Sequence, residues 1–315
     1  MLQKISDRLG IGVAIIVLFL LLSFSSPYFL DVTNLMNILL QVSISSILAV
    51  GMTFVIITAG IDLSVGPLTA LSSVILGLTL SSGWGVGLPL VFCILMGAVL
   101  GLINGVIIAK FRVPAFIATL GMMSIARGTA LYITNGQTIH MFPETFVTIS
   151  AGSIGFIPLP VIYALAVAII ASFILNYTKF GRYVYALGGN KEAVRLSGIN
   201  TMKIEIWVYV ISGICSGLGA IILAGRLNAA QPIAGVGYEL DAIAAVIIGG
   251  TSLSGGEGKI SGTIMGAILI GMLKNGLNLL NVSPFLQQII IGAVIIGAVF
   301  YDQFRRAKKD LAGNN

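Results

Sequence analysis

Charge is what this sequence has least of. Only 9% of its 315 residues are Asp, Glu, Lys or Arg, whereas 57% are hydrophobic and the mean hydropathy is +1.06. Soluble chains carry about 25% charged residues. A water-soluble fold of this composition would have to expose most of its apolar side chains. That excludes an ordinary cytosolic enzyme, a disordered chain and a nucleic-acid binder. Histidine is nearly absent as well. His140 is the only one, so no His/Cys metal-ligand cluster can be assembled. Cys93 and Cys215 each sit in an apolar run and read as small buried hydrophobes. No phosphate-cradling G-x-x-x-x-G-K-[ST] loop exists. The single Gly-Lys pair, Gly258-Lys259, is followed by Ile260, and Leu253 stands where the first glycine belongs. There is no paired carboxylate inside an apolar helix, no Ser/His/Asp set and no H-E-x-x-H. We therefore assign no catalytic residue, no metal and no cofactor.

Long apolar runs are what the sequence does have. Ten can be marked: Ile11–Phe24, Leu35–Ala59, Pro67–Ser81, Leu88–Ala109, Ala115–Ile133, Ile157–Leu175, Ile206–Ala224, Ile243–Gly250, Ile260–Leu280 and Phe285–Tyr301. A spanning helix needs about 20 residues. The fold class expected is an all-α polytopic membrane protein, one domain over residues 1–315, with about ten transmembrane helices. Pro67–Ser81 and Ile243–Gly250 are too short to cross alone. They read as broken or re-entrant helices, which a membrane tolerates only where they line a cavity or lie buried in protein. The first run follows basic Lys4 and Arg8 but precedes no A-x-A-like cleavage site, so it reads as an uncleaved helix.

Positive charge sets the orientation. With the N-terminus inside and every segment alternating, the cytoplasmic stretches hold Lys4, Arg8, Lys110, Arg112, Lys179, Arg182, Lys191, Arg195, Lys203, Lys259, Arg305, Arg306, Lys308 and Lys309. That is all but three of the 17 basic residues; the others are Arg127, Arg226 and Lys274. Both termini are expected in the cytoplasm.

Glycine is abundant, at 39 residues. Gly97, Gly101 and Gly105 recur every four residues, as do Gly213 with Gly217 and Gly262 with Gly266. Small-xxx-small spacing lets helices approach closely in lipid, either within one subunit or at a seam between two copies. An internal echo also stands out. Ala59–Gly66 and Gly249–Gly256 share the pattern small-Gly-x-x-Leu-Ser-x-Gly, and each separates two apolar runs. This suggests related helix breaks in two halves of a transporter. Polar residues at breaks or in Gly-rich spans are the candidates for a solute pathway or gate: Asp62, Ser64, Asn104, Arg127, Asn135 and Ser254. Capping competes as the role of Asp62 and Ser64, since Pro67 follows in what would be a first turn. Glu239 and Asp241 flank the short eighth run and are expected to solvate its entry.

The loop from 176 to 203 is the most informative polar piece. Asn190 suits an N-cap and Glu192 the first turn. Ala193, Val194 and Leu196 supply an apolar side, Arg195 follows Glu192 by three residues, and Gly198 suits the C′ position. A two-turn helix is expected between Gly188-Gly189 and Gly198. Two turns are not stable alone, so it must dock, either on this chain or in a groove of a cytoplasmic partner.

Gly60–Gly66, the run from Gly181-Arg182-Tyr183 through Gly188-Gly189-Asn190, and Gly249–Leu253 resemble the permease subunits of bacterial monosaccharide ABC importers. The likeness extends to Pro114–Leu120, Tyr238–Ala245 and Asn275–Leu280, and covers about 26–300. It implies a homodimer in the bacterial inner membrane, two cytoplasmic ATP-binding subunits and an extracytoplasmic sugar-binding protein. Ribose or a related monosaccharide would be the cargo. The segment bearing Gly188, Gly189, Asn190, Glu192, Ala193, Arg195 and Gly198 would be the coupling helix seated in the ATPase. A stand-alone sugar transporter driven by an ion gradient remains the alternative. It would need a titratable constellation at mid-membrane.

Overall fold

The computed structural model describes residues 2–313, with side chains described for 10–300 and for 303–304. Each of the ten apolar runs forms a helix. In chain order the helices are α1 (Leu2–Ser25), α2 (Val32–Ile57), α3 (Val65–Ser81), α4 (Gly87–Ala109), α5 (Ala115–Thr134), α6 (Glu144–Ala151), α7 (Leu159–Tyr177), α8 (Lys179–Gly189), α9 (Lys191–Leu196), α10 (Thr201–Leu227), α11 (Tyr238–Ile248), α12 (Ile260–Leu279) and α13 (Pro284–Gly313). Six of these, α2, α4, α5, α7, α10 and α12, are long and apolar enough to cross a membrane. The apolar parts of α1, α3 and α13 are shorter. The side chains of Lys4, Arg8, Arg305, Arg306, Lys308 and Lys309 lie outside the described ones.

The two short helices lie inside the protein. Every residue of α3 from Val65 to Val74 is buried, and so is α11 from Asp241 to Ile247. The last twelve residues of α2, Ser46–Ile57, are buried as well. The irregular backbone before α3 and α11 is only partly enclosed: Asp62 and Ser64 before α3 and Ala229, Ala230 and Pro232 before α11 are buried, whereas Ala59, Ile233 and Val236 are exposed. Outer helices are one-sided. α7 buries Ala164, Ala168 and Ala171 while Leu165, Ile169, Ile170 and Phe173 stay exposed, the pattern of a helix bathed in lipid.

Close approach between α4 and α10 comes from glycine. A methyl group on Gly97 would run into the Gly213 carbonyl, and one on Gly213 into the Gly97 carbonyl. Gly101 faces the Tyr209 carbonyl and Gly105 the backbone of Ile206 in the same way. This stripe is therefore spent on packing within one chain. Gly262 and Gly266 of α12 do likewise against Gly249 and Ala245 at α11. Cys93 and Cys215 are buried free thiols, and Cys93 Sγ donates to the Gly217 carbonyl at 3.4 Å.

Two short antiparallel ladders complete the fold. β1 (Ile139–His140) pairs with β4 (Ala229–Ala230) and ties the α5–α6 connection to the end of α10. β2 (Ser153–Ile154) pairs with β3 (Ile157–Pro158) as a hairpin.

One expectation is corrected. Glu239 and Asp241 do not solvate the entry to α11; they are 8% and 4% exposed. Helix α11 begins at Tyr238 and carries both carboxylates inward. Lys274 of α12 forms an ion pair with Asp241 Oδ2. Glu239 Oε1 accepts from the Gly237 amide at 3.2 Å. A buried carboxylate is tolerated when a cation or donor meets it.

Candidate functional site at the docking helix and the paired helix breaks

Helix α9 forms where its local signals place it. Asn190 is extended, with φ −159°, and its Oδ1 accepts from the Ala193 amide at 2.9 Å. Gly198 closes the helix in the left-handed region at φ +78°. Val194 is the buried residue, and Lys191 Nζ bonds Glu205 Oε1 of α10 at 2.5 Å. The outer face keeps Glu192, Ala193, Arg195 and Leu196 exposed, Leu196 at 77%. Arg195 Nε donates to Glu192 Oε2 at 3.0 Å. That hydrogen bond holds the Glu192 carboxyl below the usual carboxylate range. The face so presented is charged, with one bare leucine.

Helix α8, which the sequence does not announce, leads into it. Thr178 caps it, its Oγ1 accepting from the Gly181 amide at 3.1 Å. Near the far end Gly188 is wedged against main chain. A methyl group there would overlap the Ile57 carbonyl oxygen and the Gly256 amide nitrogen. Those two groups are already joined, since the Gly256 amide donates to the Ile57 carbonyl at 2.9 Å. Tyr185 adds a hydroxyl bond to the Gly258 carbonyl at 2.8 Å. Ile57 ends α2, just before the first echo segment, and Gly256 ends the second. The two helix breaks thus meet each other and the end of α8, which leads into α9, at one point. Gly189, by contrast, has no atom within 4 Å of where a Cβ would stand.

Beside the first break lies a buried polar cluster. Asp62 Oδ1 accepts from the Ser64 amide at 3.0 Å and from the Ser64 hydroxyl at 2.6 Å. Asp62 Oδ2 accepts from the Ser212 hydroxyl of α10 at 2.9 Å. Asn104 Nδ2 of α4 donates to Ser64 Oγ at 2.9 Å. All four residues are at most 1% exposed. Ser64 stands at the N-cap of α3, but its hydroxyl serves Asp62 and makes no side-chain cap bond. The cluster pins α3 to α4 and α10 through one carboxylate. Ser212 was not among the sequence candidates. Its signal is the one that marked Asn104, a polar residue in a Gly-rich apolar helix. We predict that Asp62→Ala strips the acceptor from three buried donors, costing about 1–3 kcal/mol for each left unmet. Asp62→Asn, which retains one acceptor oxygen, loses less. Thermal unfolding of the detergent-solubilised protein separates the two.

The remaining candidates have separate partners. Arg127 of α5 turns inward, its Nη1 donating to the Pro232 carbonyl at 2.7 Å and the Ala234 carbonyl at 2.8 Å. It staples the segment after β4. Asn135 is the left-handed C-cap of α5, φ +50°. Ser254 donates its amide to Ser252 Oγ at 3.0 Å within the second break. Among the described residues no group of His, Cys, Asp and Glu could hold a metal ion.

Known proteins place this architecture. Residues 34–299 match the family described as branched-chain amino acid transport system / permease component. The ribose import permease protein of Haemophilus influenzae is 46% identical over 301 residues, covering 94% of this chain and 93% of its own. The ribose import permease protein of Bacillus subtilis is 44% identical over 308 residues, covering 97% and 94%. The D-allose transport system permease protein of Escherichia coli is 40% identical over 282 residues, covering 89% and 86%. No solved structure matches the chain. A polytopic helical chain with two internal helix breaks, matched along nearly its whole length by transport permeases, belongs to the branched-chain amino acid transport system / permease component family.

Proposed function

We propose that this chain is the membrane subunit of an ATP-driven importer for ribose or a related monosaccharide. The observation that carries the cargo class is the 44–46% identity to ribose import permeases over nearly the full length. Ribose is preferred to a branched-chain amino acid, which only the family's description mentions, because the individual relatives quoted carry sugars in their names. The sequence holds no P-loop, so ATP is hydrolysed on separate cytoplasmic subunits. Helix α9 is the coupling helix, and Gly188, Gly189, Asn190, Glu192, Ala193, Arg195 and Gly198 build and present it. A second copy completes the pathway, and an extracytoplasmic sugar-binding protein delivers the solute. The chain crosses the bacterial inner membrane about ten times as one domain, both ends in the cytoplasm. Asp62, Ser64 and Asn104 belong to its gate, since side chains so enclosed meet a solute only after α3, α4 and α10 part. Arg127, Asn135 and Ser254 hold the loops at either end of that path. Nothing favours the ion-gradient alternative.

The test is reconstitution of the chain in liposomes with its ATPase and sugar-binding protein. Uptake of labelled ribose is expected to require internal ATP. Gly189→Pro and Glu192→Lys are expected to separate hydrolysis from uptake while the protein still reaches the membrane. Normal uptake by both variants would remove the coupling assignment. Uptake without the ATPase would restore the ion-gradient reading.

A further inference from the structure

The α4–α10 seam has a second consequence on its outer side. Beside the glycine contacts runs an open groove of about 480 Å³, lined by Ala98, Val99 and Leu102 of α4 and by Lys203, Ile206, Trp207 and Val210 of α10. On α10 the lining follows the i, i+3, i+4, i+7 spacing of one helix face. From Lys203 to Val210 that face is about 10 Å long at 1.5 Å per residue. Its walls are apolar, with Val99 48%, Leu102 43% and Trp207 57% exposed.

Only one end of the groove is charged. Lys203 is exposed and forms no ion pair among the described residues. Gly105 against Ile206 sets the C-terminal end of α4 beside the N-terminal end of α10. Exposed Lys110 and Arg112 follow that end of α4, with Lys110 Nζ 5.9 Å from the Phe111 ring centroid. Lys110 and Arg112 likewise have no acidic partner among the described residues. Trp207 stands one turn deeper than Lys203, as an amphipathic ring does at a membrane interface.

We propose that this groove is a binding site for an anionic phospholipid. One acyl chain lies along Val99, Leu102, Ile206 and Val210, and the headgroup phosphate meets Lys203 with Lys110 and Arg112 nearby. Basic pockets between transmembrane helices take anionic headgroups in this way. Charge favours lipid over a second copy as the occupant. Copies in one membrane share an orientation, so a two-fold contact here would set Lys203 at the same depth as its own image. The like charges would repel, whereas an anion joins them.

Tryptophan makes the site readable. The chain has two, Trp84 and Trp207, so Trp84→Phe leaves Trp207 as the sole reporter. The protein is reconstituted with brominated phosphatidylglycerol or brominated phosphatidylcholine, each diluted in the other, unbrominated lipid. Brominated phosphatidylglycerol is expected to quench Trp207 with about fivefold higher apparent affinity, the effect of one cation near an anionic headgroup. Lys203→Gln should bring that ratio towards one, and Lys203→Arg should keep it. Equal quenching by the two lipids before any change at 203 overturns the proposal. So does a preference that survives Lys203→Gln. Absence of quenching by either lipid also overturns it and marks a protein cover, a second copy included.

Discussion

Gly188→Ala is expected to destabilise the protein by about 3 kcal/mol, the upper range for overpacking a filled site. Gly189→Ala, one residue on, should be neutral or slightly stabilising. The contrast comes from the neighbours. At Gly188 the added carbon meets a carbonyl oxygen and an amide nitrogen that are bonded to each other. Neither is the tip of a side chain, so no rotamer change relieves the overlap. Either the Gly256–Ile57 bond opens or α8 moves away from both breaks. At Gly189 there is only open space, and alanine suits a helix better than glycine by about 1 kcal/mol. Thermal unfolding in detergent reads both variants. Equal stability of the two would mean that α8 does not seat against the breaks as described.

Lys274→Met is the second large effect. It leaves Asp241, 4% exposed, without its cation. Breaking a buried pair from one side costs about 3–5 kcal/mol, because the orphaned charge stays behind. Adding Asp241→Leu to Lys274→Met should recover most of the loss, since an apolar pair of similar size is often neutral or better. A double-mutant cycle on unfolding measures the coupling. A double variant as unstable as the single one would show that the pair does not hold α11 to α12.

What could be read from the sequence follows from what is local. All ten apolar runs mark helices, because length and hydropathy need no partner. Helix α9 was readable too, since Asn190 and Gly198 act within a few residues. The misses lie where a distant partner decides. Glu239 and Asp241 look like the wet end of a helix until Lys274, 33 residues away from Asp241, comes into view. Helix α8 hides behind its glycines and tyrosines, and the Ile57–Gly256 contact that Gly188 fits joins the end of α2 to a loop remote in sequence. Helix α6, between Pro143 and Gly152, is a single short amphipathic piece that falls outside the ten apolar runs. Of the polar candidates, Asp62, Ser64 and Asn104 belong together, but only the packing of α10 adds Ser212.

The glycine seam also bears on how the protein is made. The α4 stripe waits for α10, and Cys93 and its partner Gly217 are 124 residues apart. At roughly 5–20 residues per second of synthesis, α4 is in the membrane for about 6–25 s before its mate emerges. Through that interval its bare backbone face must be shielded by lipid, by the insertion machinery or by a chaperone. Newly made chains stalled before α10 are the ones a membrane protease would find first.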